Sequence, residues 1–285
     1  MKRCFVLMMI LWIVSSCGVK DRVGEKEHEA ILLVTFGSSY EAPAKTFQNI
    51  EDEFKKAYPN KEVTWAFTSK FIRKKLHKRG IGKFKAVYSP EDALIALKKD
   101  GFSHIAVQSL HVIPGSEYHD LKKKVSDFKK ENPKMILTLG TPLMDTQQDL
   151  IKLADLLIQK FDDKNRTVVL MGHGSEHPAN NRYTQFTEVL RAKKANFIVG
   201  TVEATPSIVQ VKEELKNTSH KNILLMPLMS VAGDHATNDM AGDEPDSWKT
   251  ILTGDGYQVN CLLQGLCDYD EVVDIYIQHL KKSMR

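Results

Sequence analysis

The chain has 285 residues, of which 42% are hydrophobic and 27% charged, with 40 Lys and Arg against 36 Asp and Glu for a formal net charge of +4. A charge so close to balance gives no electrostatic signature of a nucleic acid or other polyanion as partner, and the apolar fraction excludes a disordered chain. The length suits one large α/β domain or two smaller lobes with a substantial core.

The first element is an export signal. Lys2 and Arg3 precede an apolar run over 5–14 that ends in Val14-Ser15-Ser16-Cys17. That run is shorter than the ~20 residues of a membrane-spanning helix and leads into small residues, as at a signal-peptidase site. A cysteine directly after two small residues is similar to the lipobox of bacterial lipoproteins, which makes residues 1–16 the signal peptide and Cys17 the lipidated first residue. Residues 17–29 are polar and read as a solvated tether, so the membrane is reached through the N-terminal lipid only. Without Lys2 and Arg3 the formal net charge is +2.

From there, apolar runs that read as buried strands alternate with helical patterns. The first half runs strand 30–36, helix 43–57, strand 62–68, helices 71–78 and 89–99, strand 104–110, helix 118–130, strand 135–139 and helix 147–160. The Lys pairs and triplets at 122–124 and 129–130 fall in an amphipathic pattern and read as a solvated helix face. The second half runs strand 167–172, helix 180–191, strand 197–202, helix 207–217, strands 222–228 and 258–262, and helix 271–282. Strands alternating with helices in this way predict parallel sheets covered by helices, with ligands at the carboxyl ends of the strands.

An internal echo sets the domain organisation. ILLVTFGSSYEAPAKTF from Ile31 and VVLMGHGSEHPANNRYTQF from Val168 share an apolar strand, a Gly-Ser turn and a Pro-containing helix start. SLHVIPGSEYHDL from Ser109 pairs with PLMSVAGDHATNDM from Pro227 in the same order. Two pairs in one order predict two similar Rossmann-like lobes, each a four-stranded parallel sheet flanked by helices, with a cleft between them. The lobes span 30–162 and 163–285 and join at FDDKNR.

The halves differ where chemistry would matter. Phe36-Gly37-Ser38 follows the first strand, but Gly172-His173-Gly174-Ser175 follows its counterpart. His173 flanked by glycines has room for a large planar ligand, or simply caps the next helix. His177, just before Pro178, reads as an exposed residue at a helix start or a supporting group. Glu203 stands where a strand gives way to a helix, as a metal ligand or as an acceptor for backbone N–H groups. His235 sits in a Gly-Asp-His turn, as a ligand or a solvated loop residue. Two imidazoles and a carboxylate hold Co²⁺, Fe²⁺, Ni²⁺ or Zn²⁺ without the grip of several thiolates, but these three are too far apart in sequence to meet unless the fold gathers them.

GHGS with His173, VEATPS with Glu203, SVAGDHATNDM with His235 and the leading ILLVTFGSSY together resemble the anaerobic sirohydrochlorin cobaltochelatases, within the wider class of tetrapyrrole chelatases that includes the ferrochelatases. The resemblance extends through HVIPGSEYHDL to LLQGLCDYDEVVDIYIQHL. It implies a bilobed chelatase fold, a tetrapyrrole between the lobes, Co²⁺ as substrate metal on His173, Glu203 and His235, and a lyase reaction in cobalamin or sirohaem-type biosynthesis. His173 and Glu203 would handle the pyrrole protons. Ser38, Ser39, Tyr40 and His111 are the candidates for binding the substrate, with Arg73 and His119 behind them. The export signal departs from the better-known cytoplasmic relatives and leaves a second function open, an envelope lipoprotein that takes up or stores haem with little turnover. A third reading is an exported buffer for cobalt or iron. An oligomer is compatible with the sequence. Cys261 and Cys267 would face an oxidising compartment, without a spacing that establishes a disulfide.

Overall fold

A computed structural model describes residues 28–40, 43–78 and 87–285. The expected signal peptide, Cys17 and nearly all of the tether lie outside them. The first half comprises β1 (Glu29–Thr35), α1 (Ala44–Ala57), β2 (Glu62–Phe67), α2 (Lys70–Lys78), α3 (Pro90–Lys99), β3 (His104–Ser109), α4 (Ser116–Glu131), β4 (Ile136–Gly140) and α5 (Gln147–Phe161). The second comprises β5 (Thr167–Gly172), α6 (Asn181–Ala192), β6 (Phe197–Thr201), α7 (Ile208–Lys216), β7 (Asn222–Pro227), α8 (Trp248–Gly254), β8 (Gln258–Cys261) and α9 (Asp270–Ser283). The strands form two four-stranded parallel sheets, ordered β2-β1-β3-β4 and β6-β5-β7-β8. The two orders are the same, as the internal echo predicts.

Period-two alternation explains the layering. In β1, Ile31 and Leu33 face one core while Ala30, Leu32 and Val34 face another; in β5, Val168 and Leu170 divide from Val169 and Met171 in the same way. One face of each sheet contributes to a central core shared by both lobes, and the other packs under its own helices. Helix starts are locally specified. Thr146 and Asp149 form a capping box on α5, and Ser207 with Gln210 forms another on α7.

The last helix breaks the symmetry. α9 packs on β3 and β4 of the first sheet and against α1 and α5, so the chain ends on the opposite lobe from the one it has just built. The Tyr276 hydroxyl donates towards the carbonyls of Leu110 (3.2 Å) and His111 (3.1 Å). His279 places Nε2 3.0 Å from an Asp149 carboxylate oxygen and Nδ1 3.2 Å from the Thr141 carbonyl. Just upstream, Asn49 donates to the Cys267 carbonyl at 3.0 Å. Cys261 and Cys267 are free thiols; burial pushes both up from the ordinary thiol range, Cys267 far more strongly. Among the described residues no helix is long and apolar enough to cross a membrane.

Candidate metal centre and cleft

Strand order gathers the three candidate ligands. β5 lies between β6 and β7, so the residues that follow these three strands leave the sheet side by side. His173 directly follows β5, Glu203 follows β6, and His235 sits in the loop after β7. One ligand atom from each lies within 4.8 Å of the others, and the two imidazole rings meet edge to face with centroids 4.6 Å apart. Their side chains are 43%, 54% and 29% exposed, which leaves the cluster open to an ion arriving from solvent.

The glycines around His173 have a different use from the one the sequence suggests. A Cβ on Gly172 would come within 2.4 Å of the Tyr183 ring, and one on Gly174 within 2.8 Å of the Ala204 backbone nitrogen. The space is therefore filled by protein, not held for a ligand. Gly174 also adopts φ +88°, in the left-handed region. This close approach lets the Glu203 N–H donate to the His173 carbonyl at 2.9 Å, which joins two of the ligands through their backbones. Neither residue caps a helix: Ser207 caps α7, and His177 accepts from the Ala179 N–H at 3.1 Å at the short turn Pro178–Asn180. Tyr183, fully buried beneath the loop, is pushed up to about 12 by burial, against the effect of hydrogen bonds from the Gly174 and His173 backbone.

Both imidazoles have a defined hydrogen-bonding role at Nδ1. His173 Nδ1 lies 2.9 Å from the Gly174 carbonyl, which can only accept, so this nitrogen carries the proton and Nε2 keeps its lone pair. His235 Nδ1 lies 2.8 Å from an Asp239 carboxylate oxygen with the same consequence. Asp239 belongs to a π-helical turn, Ala236–Met240, a rare conformation that is frequent at functional sites. Sequence reading passed over Asp239, although the spacing of four in His-Ala-Thr-Asn-Asp would have shown it had the turn been recognised as helical.

The cluster opens on a cavity of about 640 Å³ lined by both lobes. Its size fits a small-molecule site. Phe36, at the position equivalent to His173, stands on the wall from the first lobe, so all three candidate ligands come from the second. Ser38, Ser39, Tyr40 and His111 all line the cavity. The Ser38 hydroxyl accepts from the Tyr40 N–H at 3.2 Å. The Tyr40 hydroxyl donates across the cleft to Asp234, next to His235, and accepts from Asn238 at 3.0 Å, so it ties the lobes together. His111 Nδ1 lies 2.8 Å from the Ser109 hydroxyl while Nε2 is buried without a partner, and burial lowers its pKa to about 4. Arg73 is occupied elsewhere, donating to the carbonyls of Phe67 and Thr68 at the end of β2. His119 is absent from the cavity lining and packs across the lobes against His177, the rings tilted by 33° with centroids 4.7 Å apart.

Paired α/β lobes around a cavity, with two imidazoles and a carboxylate at the strand ends of one lobe, have the donor set and the space of a chelatase: a candidate transition-metal site beside a cavity of ligand size. The chain belongs to the cobalt chelatase (CbiK) family, whose model matches residues 29–285. It is 34% identical over 278 residues to a sirohydrochlorin cobaltochelatase of Nitratidesulfovibrio vulgaris, covering 94% of this chain and 96% of that one. It is also 34% identical over 260 residues to the sirohydrochlorin cobaltochelatase of Salmonella typhimurium, covering 90% and 96%. Its fold is shared with SirB from Bacillus subtilis, solved with Fe³⁺, at a TM-score of 0.61 and 18% identity over 90% of this chain and 95% of that one.

Proposed function

We propose that this protein is a sirohydrochlorin cobaltochelatase that takes Co²⁺ on His173, Glu203 and His235 and inserts it into a free-base tetrapyrrole held between the lobes. The observation that carries this reading is the convergence of the three ligand atoms within 4.8 Å at the wall of the interlobe cavity, in a chain of the cobalt chelatase family. Insertion replaces both pyrrole N–H protons with the metal, so protons must leave as the ion enters. A neutral imidazole Nε2 serves either as ligand or as proton acceptor near neutral pH, which suits His173 to taking a pyrrole proton as the metal passes over. Glu203, joined to it through the backbone, supplies negative charge for the ion and a route for the proton to solvent. Borderline N and O donors bind a divalent metal firmly enough to strip water from it and weakly enough to release it. Fe²⁺, Ni²⁺ and Zn²⁺ fit the same donors, and Co²⁺ is favoured by the family.

Purified protein mixed with sirohydrochlorin and Co²⁺ is expected to accelerate the change in visible spectrum over the spontaneous rate, and His173→Ala to remove the acceleration. Acceleration near the parent rate in His173→Ala would remove that residue from the site. Tight haem binding with no acceleration in the parent protein would favour the storage reading instead.

We also propose that the protein resides at the cell envelope, anchored through lipid on Cys17 and facing the periplasm. Support comes from the basic, apolar and small-residue order of residues 1–17. Cys17→Ser is expected to move the protein from the membrane to the soluble fraction; retention on the membrane would reject the anchor.

A further inference from the structure

We propose that Lys75 and Phe71, on α2, form the subsite that receives an acidic side chain of the macrocycle and so set its orientation over the metal; this rests on the cleft being a tetrapyrrole site. The charges of the cavity are lopsided. Glu117, Glu176, Glu203 and Asp234 line it, and Lys75 is the single cation among its described lining residues. A carboxylate-bearing macrocycle is repelled at these four acidic positions and attracted at one place.

That place has two components. Phe71 is 61% exposed at the cavity, an unusual position for a large apolar ring, and the Lys75 ammonium lies 4.5 Å from its centroid. The cation–π contact holds the ammonium over the ring before any ligand arrives, so less side-chain freedom is lost on binding. Covering Phe71 with a flat, apolar macrocycle would remove that surface from water while its acidic arm meets Lys75.

α2 is built to present this pair. Its sequence, KFIRKKLHK, has no carboxylate, and Ile72 is its buried residue. The Ser69 hydroxyl accepts from the Ile72 N–H at 3.3 Å at the start of the helix. Arg73 pins the helix to the end of β2 through two backbone carbonyls and is not free to bind an anion. Lys75 forms no ion pair among the described residues. Charge-bearing helix and metal cluster thus come from different lobes, and the macrocycle is held by one while the other supplies the ion.

The test compares Lys75→Ala, Lys75→Glu, Lys75→Arg and the neighbouring Lys74→Ala, with Co²⁺ affinity and folding checked by titration and circular dichroism. A partly exposed charge pair predicts that KM for sirohydrochlorin rises about two- to fivefold in Lys75→Ala and further in Lys75→Glu. The turnover number at saturation and the Co²⁺ affinity are expected to stay near the parent values, Lys75→Arg to restore KM, and Lys74→Ala to change nothing. Raising ionic strength should raise KM in the parent more than in Lys75→Ala. An unchanged KM in Lys75→Glu would overturn the subsite and leave the enzyme assignment standing. Should the parent bind free-base sirohydrochlorin without inserting metal, the enzyme assignment fails and the subsite is decided by the dissociation constants of the same variants. A parent that binds no macrocycle would overturn both.

Discussion

Asp239 occupies Nδ1 of His235 and so leaves Nε2 as the ring nitrogen available to a metal. The 2.8 Å contact fixes the tautomer and holds the ring plane. Asp239→Ala is expected to weaken Co²⁺ binding by about 10- to 100-fold without unfolding the protein, measured by titrating the visible absorption of bound Co²⁺. The places of His173 and Glu203 just beyond strand ends were legible from sequence because each follows an apolar run, but the function of the glycines beside His173 was not. A glycine in a sequence reports that something approaches closely, and only the fold shows whether that is a ligand or, as here, Tyr183 and the Ala204 backbone.

At the scale of elements, the Gly174 turn and the contact between α5 and α9 carry separable consequences. Gly174→Ala forces a side chain into left-handed backbone and against the Ala204 nitrogen, so a loss of about 1–2 kcal/mol is expected in urea denaturation. Because the obstructed backbone is that of the Glu203 loop, metal affinity should fall with it. On α5, burial alone raises the Asp149 carboxyl, but hydrogen bonds from His279 and Thr146 outweigh it and bring its pKa down to about 2. A carboxylate with a depressed native pKa stabilises the fold above its ordinary value of 3.8 and loses that contribution as pH falls towards 2. The contribution is about 2 kcal/mol. Denaturation midpoints of the parent protein and Asp149→Asn should therefore differ at pH 6 and converge near pH 2. The strands were legible to within a residue or so of their ends, since runs such as 167–172 are apolar and bounded by turn residues. α8, only seven residues long, and the π-helical turn were missed, because neither is long enough to show a helical period.

For the whole molecule, the duplicated halves are visible both in sequence and in the matching strand orders, but the destination of α9 was not. Its periodicity shows that residues such as Val272, Tyr276 and Leu280 form an apolar face, and periodicity cannot say which sheet receives that face. The receiving sheet is the first, and the shared central core makes the two lobes one folding unit. Burying five apolar side chains of α9, at about 1.5–3 kcal/mol each, is comparable to the whole stability of a domain. A chain ending at Tyr269 is expected to be insoluble or to lose its cooperative thermal transition, whereas two independent lobes would leave one transition intact. The same helix places a timing constraint on synthesis. The N-terminal sheet emerges from the ribosome long before its covering helix, so its apolar face and the Leu110–His111 carbonyls wait for Tyr276 until the last residues are made. Completion of the wall that the first lobe gives to the cleft thus waits for the last stretch of chain to be made.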